Sequence, residues 1–543
     1  LKITEGGGNL EFFIHSSGTW HNVTAKLPDD ASSQFHTYAG VYDGSRLVIF
    51  IDGKEAASKP CNSPVAKNGF ELAVGIDTEE TARRLNGVVR KAAVYDRALT
   101  AAELSGDAGK ALLQLDFLKD AAKPTDEEPI LVYGGDFNER PTDGSFSCNG
   151  LVTSDMQPTP QFEEVKKVYQ EVHTTAEDVS TPVAKLRIRN ESFFRDTSYL
   201  TGSWKLLENG VAVGEGKLGA PVITPRESAV VEVPTNVTPK GTSEYILRVR
   251  YDLTARTAWH PAGMPVSWDE IPLPWGKRSE TTPTAPDSNA AFTEDRDRVT
   301  VRVKDVTAVV SKVKGDLVSL KVGDVEWLHS PLHLNFWRPP TNNDEGAKLQ
   351  HKLKVWQYAG IRAKAEKTTV TQESNDVLVT AEISVPAGKS SATVQYRFHG
   401  SGQISIATEF RPDKSMPAIP RIGFQAEIPE RTQLWRWHGR GPHENYADRK
   451  SGAWTTIHEG AIAQLFSRYP DPQESGNRTE IRWATLASWQ GGSNLRIDAT
   501  GGHLLEMACY PCAARDIELA MHPSELPVRE YVTVNLDHQQ SGI

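Results

Sequence analysis

Short runs of alternating apolar and polar residues, separated by turn signals, dominate the sequence and constrain its fold more than any other feature. Each of the clearest turns is an Asp-Gly or Asn-Gly pair between two such runs, which is the strongest short-range signal of a β-hairpin. These turns are Asp43-Gly44, Asp52-Gly53 and Asn209-Gly210. Because strand-like runs continue along the chain and no long helical pattern interrupts them, the sequence predicts a mainly all-β protein built of several β-sandwiches.

The chain has 543 residues, more than one hydrophobic core organises, so we expect several domains. Residues 1–106 read as most of a β-sandwich. Residues 107–170 hold a connector, a polar turn-rich segment and a helix. Residues 171–290 contain about seven strand-like runs, which fits an immunoglobulin-like sandwich. Residues 291–543 continue with strands, of which "VTVRVKDVTAVVSKVKGDLVSLKVG" is the clearest meander.

Two short helices are predicted within this β-rich pattern. Thr100 followed by Glu103 forms a capping box at the start of the first helix. The second helix is predicted within "QPTPQFEEVKKVYQEV", and Pro160 stands just before it, as is common near a helix start. The apolar positions of this second helix recur at helical spacing and are Phe162, Val165, Val168 and Tyr169.

Charge and hydropathy exclude some classes of partner. The net charge of −10 argues against a nucleic-acid partner, which needs a basic face. The sequence has no apolar run of the 18 or more residues that span a bilayer, so no membrane partner is expected. Leu1 falls inside a strand-like run and Ile543 closes no recognisable element, so we expect both terminal sandwiches to be incomplete.

The four cysteines are few and scattered, which does not indicate a disulfide framework. Cys509 and Cys512 form a single C-x-x-C pair. A zinc site needs a second pair or two histidines nearby, and His503 and His522 do not reproduce a zinc-ribbon spacing. A redox pair is a further alternative, and two cysteines that merely lie in a β-strand region are the simplest interpretation.

Four strings mix carboxylates, amides, arginine and aromatic residues with Pro and Gly. They are "YGGDFNERPTDGSFSCNGLV" at Tyr133–Val152, "NFWRPPTNNDEG" at Asn335–Gly346, "GRGPHENYADRKSGAW" at Gly439–Trp454 and "YPDPQESGNRTEIRW" at Tyr469–Trp483. A glycosidase needs two carboxyl groups that face each other across a sugar. Asp136 with Glu139, and Glu444 with Asp448, are the candidate pairs.

Each of these candidates also has a structural interpretation. Glu444 and Asp448 are expected to pair with Arg440 and Arg449 and to fix a loop, since arginine–carboxylate pairs are common in such strings. Asp136 follows two glycines at a predicted strand end, where a carboxylate can orient a neighbouring side chain.

Two further polar residues are candidates for a site. His443 could serve as an acid–base group, although a loop histidine is the simpler interpretation. Asn149 lies in a turn with Phe146 and Gly150, where its amide oxygen could bind a hard cation.

These strings resemble the large β-galactosidases of glycoside hydrolase family two. "YGGDFNERPTDGSFSCNGLV" resembles the last strand and loop of a TIM barrel, and "PTPQFEEVKKVYQ" resembles the final barrel helix. "NESFFRDTSYLTGSWKLLENG" is similar to an immunoglobulin-like domain. The three later strings resemble the large C-terminal supersandwich. "AGVYDGSRLVIFIDGK" and "VYDRALTAAEL" are similar to a laminin-G-like, concanavalin-type jelly roll, which would be a module inserted before the last barrel strand.

The resemblance implies roles for a few residues. Asn149 would contribute its side chain, and Phe146 its backbone oxygen, to a sodium ion that also contacts galactose. The family has Asn where this chain has Thr142, at a second magnesium site, so that site is in doubt. Gly346 lies where the family has a mobile loop, and the loop that follows it is short here.

The resemblance also implies absences. The family's acid–base and nucleophilic glutamates and its magnesium ligands lie on earlier barrel strands, and the Trp that stacks on the sugar lies beyond "LDHQQSGI". We therefore expect no catalytic residue within this chain, and we expect the chain to be inactive alone. In the intact enzyme, with its Na⁺ and Mg²⁺, two glutamates would hydrolyse terminal β-galactosides with retention.

Two alternatives remain open, one from another class of protein and one a related family-two activity. The jelly roll could make the chain a carbohydrate-binding or scaffolding module without catalysis, although Trp20 is the only Trp in residues 1–106. A β-glucuronidase or β-mannosidase is a third possibility, but these enzymes usually lack the C-terminal supersandwich. Members of the family are often homo-oligomers, and no residue of the sequence tests that for this chain.

Overall fold

The computed structural model describes most of the chain, and its described residues divide into two compact units, Leu1–Glu128 and Pro129–Ile543. The described residues are 2–3, 8–16, 19–31, 36–65, 89, 91–105, 109, 111–116, 131–154, 156–219, 221–258, 260–488 and 494–542. Within these residues, we find no helix with both the length and the apolar character that a membrane span requires.

The first unit consists of small antiparallel sheets around a core that includes Leu10, Ile14, Leu47 and Ile49. Its strands are β1 (Lys2–Ile3), β2 (Asn9–Ser16), β3 (Thr19–Lys26), β4 (Tyr38–Tyr42), β5 (Arg46–Ile51), β6 (Lys54–Pro60), β7 (Lys91–Val94) and β8 (Leu113–Asp116), and its helix is α1 (Ala101–Leu104). The sheets have the orders β1-β2-β3, β4-β5-β6 and β7-β8. The predicted capping box of Thr100 and Glu103 is confirmed at the start of α1.

The predicted hairpin turns of this unit are confirmed. Asp43-Gly44 lies between the paired strands β4 and β5, and Asp52-Gly53 lies between β5 and β6. Asp52 and Gly53 have φ values of 49° and 72°, the left-handed conformation that a tight two-residue hairpin needs at both positions. The backbone conformation that these Asp-Gly pairs favour therefore fixes how the strands on either side of each turn pair.

The second unit begins with the segment for which the resemblance implied the last strand of a barrel. Residues 131–133 are irregular and residues 134–137 form a turn, while Pro129 and Ile130 of the predicted strand lie outside the described residues. A strand exists only when neighbouring strands satisfy its backbone groups, and the described residues provide no such neighbour for this segment. Helix α2 (Pro160–Val168) follows and confirms the second predicted helix.

The next region forms two facing sheets with seven strands, as the immunoglobulin-like pattern predicted. The strands are β9 (Val172–Asp178), β10 (Val183–Asn190), β11 (Leu200–Glu208), β12 (Val211–Lys217), β13 (Ser228–Pro234), β14 (Tyr245–Leu253) and β15 (Pro265–Leu273). The sheets have the orders β13-β10-β9 and β12-β11-β14-β15. Their core includes Leu186, Ile188, Leu206 and Leu247, which are at most 1% exposed.

The predicted hairpin at Asn209-Gly210 is also confirmed, between β11 and β12. Asn209 and Gly210 have φ values of 49° and 81°. The Asn209 side chain donates to Ser243 Oγ (3.2 Å) and accepts from the Glu244 N–H (2.9 Å). The turn is therefore held by the chain that leads into β14.

The C-terminal region continues with strands and only short helices. Its strands are β16 (Ala291–Glu294), β17 (Arg298–Val303), β18 (Val306–Ser311), β19 (Leu317–Val322), β20 (Val325–Glu326), β21 (His333–Asn335), β22 (Lys364–Glu373), β23 (Asp376–Ser384), β24 (Ser391–Phe398), β25 (Ile404–Arg411), β26 (Arg421–Pro429), β27 (Leu434–Gly441), β28 (Trp454–Ala461), β29 (Asn477–Ile481), β30 (Trp483–Ala487), β31 (Leu495–Asp498), β32 (Leu505–Tyr510) and β33 (Tyr531–Gln540). Its helices are α3 (Asn342–Gly346), α4 (Leu349–Lys352), α5 (Ile462–Leu465) and α6 (Ala514–Leu519).

These strands form four sheets, and the predicted meander is confirmed within the first. The sheets have the orders β16-β17-β18-β19-β20, β22-β23-β24-β25, β21-β26-β33-β32-β29 and β28-β27-β30-β31. Inside the sandwich, the fully buried Arg421 forms ion pairs with Glu474 (2.9 Å) and Asp537 (3.2 Å) and contacts the Tyr510 hydroxyl (3.0 Å). Arg421 therefore ties β26, β32 and β33 to the loop before β29.

Candidate functional site

The loop Tyr133–Val152 is shaped by its own carboxylates. Asp136 accepts the Tyr133 N–H (2.7 Å), and Glu139 accepts the N–H groups of Gly135 (2.5 Å) and Phe137 (3.0 Å). These backbone hydrogen bonds hold the pKa of Glu139 below its ordinary value. In this structure the two carboxylates serve the turn and do not form an acid–base pair across an open site.

His522 fixes this loop to the C-terminal sandwich. Its Nε2 lies 2.8 Å from Asp136 Oδ2, and its ring stacks on Tyr133 with centroids 4.6 Å apart. The Tyr133 hydroxyl donates to the Met521 carbonyl (2.7 Å). The sequence pointed to His522 only as a poor zinc ligand, because no local pattern relates it to a residue 386 positions earlier.

A hydrogen-bond network joins three of the four polar strings. Asp471 Oδ2 accepts from Ser145 Oγ (2.8 Å) and from Asn342 Nδ2 (2.6 Å). Gln473 Nε2 donates to Asn342 Oδ1 (2.6 Å). The turn-rich loop, the start of α3 and the loop before β29 therefore meet at one carboxylate.

The two predicted cation ligands lie on the turn beside this network. Phe146 belongs to the 3₁₀-helix Gly144–Cys148, and its ring is 68% exposed. Its carbonyl accepts the Asn149 N–H at 3.4 Å. The Asn149 side chain is exposed, and its amide has no hydrogen-bond partner among the described residues. The Thr142 hydroxyl, at the doubtful magnesium position, accepts the Gly144 N–H (3.1 Å).

The third polar string forms a buried structural cluster. Glu444 is 1% exposed and contacts Arg449 Nη2 (2.9 Å), the Gly476 N–H (2.6 Å) and the Tyr469 hydroxyl. Burial raises the pKa of Glu444, but Arg449 and these hydrogen bonds outweigh it, so the pKa is lowered overall. A carboxylate held in this way fixes a loop, as the structural interpretation predicted.

The other residues of this string differ in part from the expectation. Arg440 pairs with Glu480 (2.9 Å), not with Glu444 or Asp448. Burial lowers the pKa of His443 to about 4, so its imidazole is neutral near pH 7. A neutral, buried imidazole fits the interpretation of His443 as a loop histidine.

Cys509 and Cys512 are buried free thiols, and burial raises the pKa of both. Cys509 lies in β32, and Cys512 follows that strand. Within the described ranges, no group of three His, Cys, Asp or Glu residues is placed to bind a metal.

A cavity of about 440 Å³ opens beside the Asp471 network. Tyr133 and Asp471 line one side, and Trp337 and Glu518 form part of its wall. Further polar lining comes from residues 345–357, namely Glu345, Gln350, His351, Lys354 and Gln357.

Comparisons with known families cover nearly the whole chain. Residues 302–543 match "Beta galactosidase small chain", residues 186–274 match "Beta-galactosidase, domain 4", and residues 112–174 match "Glycosyl hydrolases family 2, TIM barrel domain". Residues 112–543 belong to glycoside hydrolase family two. Residues 1–105 match the concanavalin A-like lectin/glucanase superfamily, so both resemblances inferred from the sequence are confirmed.

Individual relatives give the same family. The chain is 32% identical to a "Beta-galactosidase" of Priestia megaterium over 78% of its length, and 30% identical to one of Lactobacillus delbrueckii subsp. bulgaricus over 76%. It is 27% identical to one of Halalkalibacterium halodurans over 76%. The chain spans 40% of the length of each of these three relatives.

Proposed function

We propose that this chain is the C-terminal part of a retaining β-galactosidase that hydrolyses terminal, non-reducing β-D-galactosides. The observation that carries the proposal is the Asp471 network, in which Ser145, from the segment that matches the TIM-barrel family, meets Asn342 and Asp471 of the small-chain region. This contact lets the C-terminal sandwich support a loop at the active-site end of a barrel.

The chain's own residues would position the reaction and would not perform it. Retaining hydrolysis needs two carboxyl groups about 5–5.5 Å apart. Asp136 and Glu139 shape their own turn, and Glu444 is buried against Arg449. We therefore assign the two catalytic glutamates to barrel strands outside this chain, with double displacement as the mechanism.

Phe146 and Asn149 would bind Na⁺, through the backbone oxygen of Phe146 and the side-chain oxygen of Asn149. Hard cations prefer oxygen ligands, and the Asn149 amide has no competing partner among the described residues, so the pair fits this role. The ion would supply a positive charge that contacts galactose hydroxyl groups. Mg²⁺ is proposed only for the rest of the enzyme, because the Thr142 hydroxyl already accepts a backbone N–H.

The test of the proposal compares the 543-residue chain with the same chain co-produced with a family-two barrel segment from one of its relatives. We expect no turnover of a nitrophenyl β-galactoside by the chain alone and measurable turnover by the assembled protein. Turnover by the purified chain alone would refute the assignment of the glutamates, and loss of selectivity for galactoside over glucuronide and mannoside would refute the substrate class.

The sodium role has a separate test in the assembled protein. Asn149→Ala removes the side-chain oxygen that would bind Na⁺, and losing a contact to a charged group costs about 1.4 kcal/mol or more. The Na⁺ concentration that gives half-maximal activity should therefore rise by about tenfold. The control is Asn62→Ala, which removes an exposed amide in the first unit and should leave the Na⁺ concentration for half-maximal activity unchanged. An unchanged Na⁺ dependence in Asn149→Ala would refute the role.

One observation favours a second function, glycan binding by the first unit. Trp20 is 62% exposed, and His15 and Phe13 lie beside it at centroid distances of 4.9 and 6.3 Å. Exposed aromatic faces suit the apolar faces of sugar rings. In a glycan array, Trp20→Ala should lose the binding that the unaltered chain and Thr24→Ala retain. An array without any bound glycan would refute this function.

A further inference from the structure

Three side chains at one end of the sheet β22-β23-β24-β25 form a chain of hydrogen bonds. Asp376 is the first residue of β23, His399 follows β24, and Ser405 lies in β25. His399 Nδ1 lies 2.9 Å from Asp376 Oδ2, and His399 Nε2 lies 2.8 Å from Ser405 Oγ. The side chains of His399 and Asp376 are 12% and 22% exposed, whereas Ser405 is exposed. A small molecule can therefore reach the serine, while the ring and the carboxylate are largely shielded.

The partners of the ring determine which of its nitrogens carries the proton. Asp376 Oδ1 accepts the Gly400 N–H (3.0 Å), and an ionised carboxylate can only accept. When the ring is neutral, its one proton therefore lies on Nδ1, facing Asp376. Nε2 is then an acceptor, and the Ser405 hydroxyl donates to it. In this arrangement a histidine can take the proton of a serine while a carboxylate holds the required tautomer.

A positively charged group lies beside the serine. Arg397 is directly opposite Ser405 in the pairing of β24 with β25, which places their Cβ atoms about 5 Å apart. Arg397 Nη1 donates to Glu373 Oε2 (2.6 Å) and lies 3.8 Å from Asp376 Oδ2. Arg397 Nε and Nη2 make no hydrogen bond within the described part of the chain. These groups can stabilise an oxygen that becomes negative when a carbonyl is attacked at Ser405.

The surface next to the serine suits a short acyl group. Ala407 lies two residues beyond Ser405, on the same face of β25, and is exposed. Because the side chain of Ala407 is a single methyl group, it leaves room above the strand and offers an apolar contact. An acyl chain of a few carbons would lie over this methyl group, with its carbonyl oxygen towards Arg397.

We propose that Ser405, His399 and Asp376 form an acyl-transfer site that hydrolyses small esters such as acetyl esters. Ser405 Oγ bonds to the carbonyl carbon of the ester, and its proton moves to His399 Nε2. The bond from the carbonyl carbon to the alcohol oxygen then breaks, and the leaving alcohol takes this proton. A water molecule gives a proton to His399 and attacks the acyl-serine. The bond to Ser405 Oγ breaks, Oγ recovers the proton, and the carboxylic acid leaves. Asp376 is a positioning residue that acts through His399.

The first test uses the 543-residue chain alone, with a fluorophosphonate probe and with nitrophenyl acetate. The probe bonds covalently to an activated serine and releases fluoride, and peptide mass spectrometry then locates the label. We expect the label on Ser405 and saturable hydrolysis of the acetate. Ser405→Ala should lose both. The matched control is Ser384→Ala, which removes an exposed serine of β23 that has no histidine partner among the described residues, and this variant should keep both.

The second test separates positioning from a structural role. Asp376→Asn keeps an acceptor for the Gly400 N–H, but its amide donates to His399 and places the ring proton on Nε2. The rate at saturating ester should fall by about 100-fold, since the ring can no longer accept the serine proton. The ester concentration that gives half the maximal rate should stay unchanged, because Asp376 does not contact the ester.

Three results would overturn the proposal: no label on Ser405, ester hydrolysis by Ser405→Ala equal to that of the unaltered chain, or an unchanged maximal rate in Asp376→Asn. Circular dichroism of each variant shows whether a loss of reaction is a loss of fold. Because both tests use the chain alone, their outcome is independent of any galactosidase activity in the assembled protein.

Discussion

At the scale of single residues, His522 joins two distant parts of the second unit. It lies between Asp136 (2.8 Å) and Glu525 (3.3 Å). Burial lowers the pKa of His522, but the hydrogen bonds that its ring donates to these two carboxylates outweigh burial, so the pKa is raised above its ordinary value. The charged imidazolium therefore stabilises the loop that carries the proposed sodium ligands.

The pH dependence of this contact follows from the raised pKa. Because the folded pKa exceeds the unfolded one, the stabilisation is complete below about pH 6.5 and is lost as the pH rises through the folded pKa. His522→Gln should therefore lower the thermal midpoint at acidic pH, by an amount equivalent to about 1 kcal/mol, and should approach the unaltered chain at alkaline pH.

His503→Gln is the control for this series, since His503 faces His538 and has no carboxylate partner among the described residues. Differential scanning calorimetry across the pH range measures both variants. If the difference in thermal midpoint between His522→Gln and the unaltered chain grew as the pH rose, the stabilisation could not come from a positive charge on His522.

At the scale of elements, helix α2 holds the loop of the third polar string. Glu164 Oε2 accepts the Gly452 N–H (2.7 Å), and Glu164 Oε1 accepts the Ser451 N–H (3.0 Å). A Cβ on Gly452 would lie 2.8 Å from the Glu163 carbonyl, so only glycine fits there. The helix and the loop therefore approach through their backbones.

Removing this carboxylate should destabilise the second unit. Glu164→Ala leaves two backbone donors without their partner, and we expect a loss of about 1–2 kcal/mol in chemical denaturation. Glu163→Ala removes the neighbouring carboxylate, for which no hydrogen bond to the loop is seen, and should change stability by less than about 0.5 kcal/mol. Equal losses in the two variants would show that helix propensity, and not the loop contact, decides the effect.

How far the sequence predicts an element depends on how local its causes are. The turn at Asp52-Gly53 was predictable because its left-handed backbone is a property of those two residues. The barrel strand predicted near Tyr133 depends on neighbouring strands that no local pattern supplies, and its described residues 131–133 are irregular. The partnership of His522 with Asp136 was missed for the same reason, although the sequence did indicate the loop as a candidate site.

At the scale of the whole molecule, the chain is two compact units with separate cores. The first core contains Leu47 and Ile49, and the second unit contains cores around Leu247 and around Trp435. Residues 129–543 produced alone should therefore give a β-type circular dichroism spectrum and a cooperative melting transition. A broad, non-cooperative melt of this piece would contradict the division into units.

The turn between β11 and β12 has a consequence for how the protein ages. An Asn-Gly pair is the sequence at which Asn deamidates most readily, because the backbone nitrogen of the glycine can attack the side-chain carbonyl carbon of the Asn and release ammonia. Here Ser243 and Glu244 hold both ends of the Asn209 amide, and Thr456 donates to the Gly210 carbonyl (2.8 Å). We therefore expect peptide mass spectrometry after long storage to find Asn209 intact, and the hairpin to persist without chemical repair.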